Sequence, residues 1–397
     1  MEYLAPIIIG LFLLAVFLRI DFYFHVVYLL AGAYVLARLW TRYGIQHLEA
    51  QRRLDRGDRA FPGESVAVEL RLRNTGRLPL PWVEIHDSLP VDLISPPFYR
   101  EVVTLKGKEE QRFTYTLTCY KRGYYPLGPL SLQTGDVLGL APDLSRRSQR
   151  EYLIVYPRVL SLEKLGLPTH SPLAQLPTPT PLFEDPTNII GVRPYMAGDS
   201  PRRIHWTATA NSGQLLVKRY RAAIARESLV CLDLDMNDYP TRRIYDAVEL
   251  AIVASASIAN HVVNQERLGV GLATQAVDPL QDATVQFSLP PHRGRAHLMN
   301  ILEVLARAQM TDKAPQPFPD FLRKESLALP WGCTLIVITG CETEALSDAL
   351  AYLRRTGFAI ALILVMPPAP GADTTQRGAL LNVPVHRVWQ ETALEAL

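Results

Sequence analysis

The sequence predicts a multidomain chain: an N-terminal transmembrane α-hairpin, then an antiparallel β-sandwich, then an α/β domain on a parallel sheet. Three observations predict it. Two apolar runs, Tyr3 to Leu18 and Phe22 to Ala37, stand almost back to back at the start. Between Gln51 and Pro157, short stretches alternate apolar and polar residues and are separated by turn formers, the pattern of half-buried strands in a sandwich. Beyond residue 226, apolar runs of strand length alternate with helical periods, as in a sheet covered on both faces. The chain has 397 residues, 48% of them hydrophobic, and a formal net charge of +2. That length suits two or three domains with real cores, and the near-neutral charge argues against a dedicated nucleic-acid binder. The predicted divisions are a hairpin over 1–43, a sandwich over 51–160, a Pro-rich connector over 161–190, a distinctive segment over 191–226 and the α/β domain over 227–397.

Each N-terminal run is somewhat short against the ~20 residues a bilayer span wants. A secretory signal needs a basic start and a small-residue cleavage site; Glu2 and the second run argue against one. A single continuous buried helix would carry Arg19 and Asp21 at its middle, which is costly. Two short spans in a tight hairpin fit best, with Tyr3, Tyr23, Tyr28 and Trp40 near the interfaces. Local bilayer thinning and snorkelling accommodate the length. Arg38, Arg42, Arg52, Arg53 and Arg56 crowd the C-terminal side, against Arg19 at the tip. Positive-inside weighting then makes this a multi-pass cell-membrane protein with the bulk of the chain cytoplasmic.

In the sandwich region, Val66, Val68, Leu70 and Leu72 alternate with polar residues, and Asn74-Thr75-Gly76 turns the chain. Trp82, Val83, Ile85 and then Phe113, Tyr115, Leu117 repeat the pattern. The glycines and prolines of Arg122 to Leu130 and Gly135 to Leu140 serve most simply as tight bends. His86 and Asp87 are adjacent, so on a strand they face opposite ways and form no site. The four cysteines, Cys119, Cys231, Cys333 and Cys341, have no metal-like spacing and read as reduced, small apolar residues.

The connector, which includes Pro-Thr-Pro-Thr-Pro, is too apolar for a free linker; Leu173, Leu176 and Phe183 are expected to dock on a domain surface. Then comes GVRPYMAGDSPRRIHWTATANSGQLLVKRYR, Gly191 to Arg221. Gly198-Asp199 is a turn signal, and Asp199 can accept from Arg193 and Arg203. Ile204, His205 and Trp206 begin an ordered, packed segment, and Gly213-Gln214 turns into the strand-like Leu215-Leu216-Val217. One reading is an ion-pair knot of Arg193, Asp199 and Arg203; the other is an anion- or partner-binding surface, since Lys218, Arg219, Arg221 and Arg226 add positive charge. The segment resembles the signature of the family called domain of unknown function 58, through Gly191, Arg193, Tyr195, Gly198, Asp199, Arg203, Ile204, His205, Trp206 and Gly213. It departs at Ala210-Asn211, where most members carry arginine, so an ion pair common in that family is expected to be missing.

Strands are predicted over Ser228 to Leu234, Leu268 to Thr274, Val285 to Leu289, Thr334 to Thr339, Ala359 to Met366 and Val383 to Val388. Helices are predicted over Arg242 to Asn264, Arg295 to Ala308 and Glu342 to Thr356. His292, in a Pro-Pro-x-x-Gly turn, reads as the lead-in to a helix, and His205 as a hydrogen-bonding histidine rather than a base. Ligands in such sheets bind beyond the carboxyl ends of the strands. The first strand ends in Asp233, Asp235 and Asn237 at alternate positions, oxygen donors suited to a hard cation such as Mg²⁺. This looks like a degraded metal-ion adhesion site of von Willebrand factor A domains, although Ile338-Thr339-Gly340 lacks the later acid of that site. The opposing reading is carboxylates that cap a helix start or pair with arginines. A rival enzyme reading resembles haloacid-dehalogenase-type phosphatases, with Asp233 as nucleophile and Asp235 as proton donor. It also needs a lysine near a strand end and a second acidic pair, and only Lys313 and Lys324 follow, away from any strand end. No P-loop or G-x-S-x-G string is present.

The sequence therefore points to a non-enzymatic, membrane-anchored scaffold: hairpin, immunoglobulin-like sandwich, and von Willebrand factor A-like (Rossmann-type) domain, with an acidic crown and a basic segment for docking. The family resemblance implies partnership with MoxR-type AAA+ ATPases, and often with transglutaminase-like membrane proteins, in complex assembly. The alternative is a Mg²⁺-dependent phosphoesterase.

Overall fold

The computed structural model describes residues 4–18, 21–55, 57–94, 96–136, 144–162, 184–196, 204–222, 227–330, 332–367 and 383–395. The chain divides into two compact units, Met1–Arg158 and Val159–Leu397.

The first unit opens with α1 (Leu4–Leu18) packed on α2 (Asp21–Gln46). Phe12 meets Phe24 edge to face at 6.3 Å. Elsewhere both helices turn apolar side chains outward, among them Leu13 and Phe17 on α1 and Phe22, Leu29, Leu36 and Leu39 on α2. Backbone groups satisfied within a helix and apolar side chains outside it suit hydrocarbon. α2 is long and apolar enough to cross a membrane. At 26 residues it rises about 39 Å, so it is longer than the second short run that the sequence predicts, whereas α1 is a shorter apolar helix. Nor does α2 stop at residue 43. Thr41 and Gly44 are buried, Trp40 Nε1 donates to the Pro79 carbonyl at 3.0 Å, and Gly44 lies so close to Leu80 that a Cβ would collide with it. The last turns of α2 are thus part of the sandwich.

After α2 come β1 (Leu48–Leu54), β2 (Arg59–Ala60), β3 (Ser65–Asn74), β4 (Leu80–Ser88), β5 (Phe98–Leu105) and β6 (Glu110–Thr118). β7 (Gly123–Leu127), β8 (Leu130–Thr134), β9 (Leu144–Arg147) and β10 (Glu151–Val155) complete the unit. They form sheets in the orders β1-β3-β6, β5-β4-β8-β9 and β2-β10-β7. All pairings are antiparallel except β2 with β10. Val66, Val68, Leu70 and Leu72 point inward as the alternation predicts, and one core joins them to Val83, Ile85, Leu117, Leu132 and Leu153 from the other strands. The Gly128-Pro129 pair makes the expected bend between β7 and β8, with Gly128 at a positive φ of 95°.

Asp87 and His86 do face opposite ways. His86 stacks on Phe98, whereas Asp87 is fully buried and ion-paired to the Arg52 guanidinium. Arg52 is no surface cation: its side chain is 2% exposed and also donates to the Leu127 carbonyl at 3.3 Å. Tyr115 Oη donates to Asp87 at 2.7 Å. The sequence reading missed β1 because its arginines look solvated.

In the second unit, β11 (Glu184–Pro194) pairs antiparallel with β12 (Leu216–Ala222), and α3 (Trp206–Ser212) lies between them in sequence. β11 thus begins inside the predicted connector; Leu173, Leu176 and Phe183 lie outside the described residues. The remainder comprises β13 (Glu227–Leu232), α4 (Ile244–Asn264), β14 (Gly269–Asp278), β15 (Ala283–His292), α5 (Arg295–Arg307) and α6 (Phe318–Ser326). It ends with β16 (Thr334–Thr339), α7 (Glu344–Arg355), β17 (Ala359–Val365), β18 (Val385–Val388) and a short helix, Glu391–Glu395. The six-stranded sheet has the order β15-β14-β13-β16-β17-β18. β15 runs antiparallel to β14, and the other pairings are parallel. The edge departs from the all-parallel expectation because the turn closed by the Asp278 carbonyl is a hairpin, which can only return the chain antiparallel. α6 and α7 cover one face, over Leu229, Cys231, Leu335, Val337 and Leu362. α4, which also packs on α5, covers strands β13, β14, β16 and β17. It too is long and apolar enough to cross a membrane, but 78% of its apolar window is buried, which makes it a core helix.

Candidate functional site

The carboxyl end of β13 is where the fold places chemistry, so Asp233, Asp235 and Asn237 can be judged there by what each oxygen does. Asp233 extends the sheet by one more bond, its N–H donating to the Ile338 carbonyl at 2.9 Å. Its side chain is buried, at 3% exposure. One carboxylate oxygen accepts from the Asp235 N–H at 3.0 Å and the other from Thr339 Oγ1 at 2.8 Å. Tyr239 Oη closes the loop from beneath, donating to the Asp233 carbonyl at 2.7 Å. Asp235 repeats the device one step on, accepting from the Asn237 N–H at 3.0 Å and from its Nδ2 at 2.8 Å. The alternate spacing that suggested a cation site is therefore a ladder of side chains capping amides two residues ahead.

Burial pushes the Asp233 carboxyl well above the usual carboxylate range, and the neighbouring Asp238 pushes it further. A hard cation needs ionised oxygens that converge on it. Here the buried acid is held toward its neutral form. Among the described residues no three of His, Cys, Asp or Glu form a metal-holding group. Gly340 stands where an adhesion site carries its later acid, and a Cβ there would run into the Asp238 carbonyl and lie 2.5 Å from Tyr239 Cδ1. As placed, the tentative metal residues Asp233, Asp235 and Asn237 form a hydrogen-bonded turn, the capping alternative that the sequence also offers. Asp233 is not presented for docking either; Asp235 is half-buried and Asn237 is exposed. Both Asp233 oxygens are occupied by hydrogen bonds in the turn. Lys324 is spent elsewhere, its Nζ donating to Gln286 at 3.3 Å.

A pH dependence follows. Below an unfolded pKa of about 3.9 the group is protonated in both states. As pH rises past that, the unfolded chain releases the proton while the buried carboxyl keeps it, so stability falls until the raised folded pKa is passed. Asp233→Asn, which keeps the shape of the neutral acid, is expected to remove this loss. Hydrogen exchange at β13 and β16 amides of the full chain should show the variant better protected at neutral pH, with the difference shrinking toward about pH 4.

All four cysteines are free. Burial raises the Cys119 thiol to about 11 and the Cys333 thiol to about 12. Cys341 also reaches about 12, through burial and then Asp238. Thiols raised in this way are little ionised near neutral pH, in keeping with small apolar residues.

The second candidate is the β11–β12 hairpin. Gly198, Asp199 and Arg203 lie outside the described residues, as therefore does the proposed ion-pair knot. Arg193 donates to the Pro194 carbonyl at 3.2 Å. His205 caps α3, its Nδ1 accepting from the Ala208 N–H at 3.2 Å, which is a hydrogen-bonding role and not that of a base. Gly213 ends α3 in the left-handed conformation, φ 69°, the turn that the sequence predicts. Trp206 departs from expectation. Ile204 is packed, but Trp206 is 67% exposed, because the cap turns its neighbour outward. Tyr195 bonds through its N–H to the Leu215 carbonyl at 2.9 Å and His205 through its own to Leu216 at 2.9 Å. Tyr195, Met196, Trp206 and Leu215 are thereby gathered at one end of the hairpin, all exposed.

A family model described as "Protein of unknown function DUF58" matches residues 191–324, from the hairpin through α6. That segment is similar to DUF58 domains. Among curated relatives, "Uncharacterized protein YeaD" of Bacillus subtilis is 25% identical over 337 residues, 83% of this chain and 78% of the relative. The likeness to YeaD thus reaches well beyond the DUF58 match. Of solved structures, the CARDB domain of the PF1109 protein from Pyrococcus furiosus is 16% identical over 27% of this chain and 86% of that one, with a TM-score of 0.20. Spo0M, a sporulation control protein from Bacillus subtilis, is 15% identical over 28% of this chain and 49% of that one, with a TM-score of 0.17. Those two likenesses are too slight to bear on this chain's fold or function.

Proposed function

We propose that this DUF58 protein is a membrane-anchored adaptor without enzymatic turnover. α1 and α2 cross the bilayer as a hairpin, and the immunoglobulin-like sandwich and von Willebrand factor A-like α/β unit lie in the cytoplasm. The partner is a MoxR-type AAA+ ATPase, joined in complex assembly by a transglutaminase-like membrane protein. The doubly wound strand order, with β13 central, supports the von Willebrand factor A-like reading. The outward apolar surface of both N-terminal helices supports the membrane reading, and Arg38 and Arg42 support the orientation.

The observation that carries the adaptor reading is the cluster of Tyr195, Met196, Trp206 and Leu215. Exposed aromatics held by a backbone ladder are the side chains on which protein interfaces concentrate their energy. Full-length protein in nanodiscs should bind the MoxR-type ATPase encoded by the same organism. Trp206→Ala should weaken that binding about tenfold or more, while Asp233→Asn leaves it unchanged. Binding indifferent to both Trp206→Ala and Tyr195→Ala would remove the docking surface. Phosphate released from a small ester in Mg²⁺, and lost in Asp233→Asn, would restore the phosphoesterase instead.

A further inference from the structure

We infer that the membrane-facing tip of the sandwich is a binding collar for the phosphodiester headgroups of anionic lipids. The inference rests on the reading that α2 spans the bilayer. From Asp21 to Leu39, α2 rises about 28 Å, close to the ~30 Å of hydrocarbon it would cross. Leu36 and Leu39 are its last outward-facing apolar side chains. Trp40 and Tyr43 follow, residue types that settle at the headgroup level.

At that level two sandwich turns are fastened to the helix. The β3–β4 turn is tied by Trp40 Nε1 to the Pro79 carbonyl at 3.0 Å, by the Arg77 N–H to Tyr43 Oη at 3.4 Å and by Thr75 Oγ1 to the His47 carbonyl at 2.8 Å. The β5–β6 turn is tied to the first: Asn74 Nδ2 donates to both the Leu78 and Lys106 carbonyls, at 2.8 and 3.0 Å, and the Lys108 N–H donates to the Gly76 carbonyl at 2.9 Å. Gly107 lies against the Arg77 backbone so closely that no Cβ would fit.

Those bonds fix the cations. Arg77, Lys106 and Lys108 are exposed on the two turns, and Arg38 and Arg42 are exposed on the helix beside them. Glu109, next to Lys108 in sequence, is engaged by the Lys106 N–H at 2.6 Å and by Gln111 at 3.0 Å. Five cations around the exit of an apolar helix suit an anionic leaflet. Three of them come from folded turns far from the helix in sequence, so charge counting along the chain does not find them.

The test uses full-length protein in vesicles of phosphatidylcholine mixed with phosphatidylglycerol. Spin-labelled versions of each lipid report the fraction immobilised by the protein. Phosphatidylglycerol should be enriched roughly threefold or more over phosphatidylcholine, and salt should erase the enrichment. Inorganic phosphate should do no more than chloride at equal ionic strength, which separates a lipid headgroup from a free anion. The combined variant Arg77→Gln, Lys106→Gln, Lys108→Asn should lose most of the enrichment, with hydrogen exchange of β3 and β6 unchanged as a check on folding. Equal immobilisation of both lipids by the native protein overturns the collar. So does enrichment that survives the turn variant but vanishes in Arg38→Gln, Arg42→Gln, since helix arginines alone would then suffice. No immobilised lipid of either kind would instead sink the membrane-spanning reading.

Discussion

Asp87→Ala is expected to cost the sandwich about 3–5 kcal/mol, because it strips a buried cation of its partner. Arg52 lies in the core with Asp87 against it, and its bond to Glu151, at 3.4 Å and half exposed on the acid's side, is a poor substitute. The Tyr115 hydroxyl would lose its acceptor as well. A domain is stable by only about 5–15 kcal/mol in total, so the single change should remove a large share of the unit's stability. The paired replacement Arg52→Met, Asp87→Leu should recover most of the loss, since apolar residues of similar volume often replace a buried ion pair at little cost. Hydrogen exchange in β1 and β3 of the full chain reads both results. A cost for Asp87→Ala below about 1 kcal/mol would mean that water reaches Arg52 and that the network is not structural.

That network also shows where the sequence stops being legible. Thr334 to Thr339 is read as a strand to the residue, because a continuous apolar run between turn formers has one use in an α/β fold. The Val66–Leu72 face is equally clear from its alternation. β1 is not, because Arg52 and Arg53 are alike in composition, and only the distant Asp87 decides that Arg52 goes inward. The end of α2 was misjudged for a related reason. Trp40, Thr41 and Gly44 are bound by tertiary contacts with the β3–β4 turn and β4, which no local pattern encodes. At the candidate site the sequence marks the residues and leaves two roles open, cation holder or cap. Alternate acids after a strand look the same whether they hold a cation or cap a turn, and the bonds from Asp235 and Thr339 to Asp233 make the difference.

Gly340→Asp separates those two possibilities most sharply, since it supplies the acid that an adhesion site would have at the end of β16. If the site were latent, the variant would gain protection from Mg²⁺. The expected result is the reverse: a loss of about 2–3 kcal/mol that Mg²⁺ does not restore. The added Cβ would press on the Asp238 carbonyl and on the Tyr239 ring, whose Cγ would be 2.7 Å away. That ring is buried and tied through its hydroxyl to Asp233, so it cannot retreat without opening the turn. A further carboxylate beside Asp238 adds like-charge repulsion to the collision. Gly340→Ala divides the two causes. It carries the Cβ without the charge and should lose most of what Gly340→Asp loses, read from hydrogen exchange in β13 and β16 with and without Mg²⁺. If Gly340→Ala changes stability by less than about 0.5 kcal/mol, the turn yields easily, and Asp233 is not locked in place by the crowding around Gly340.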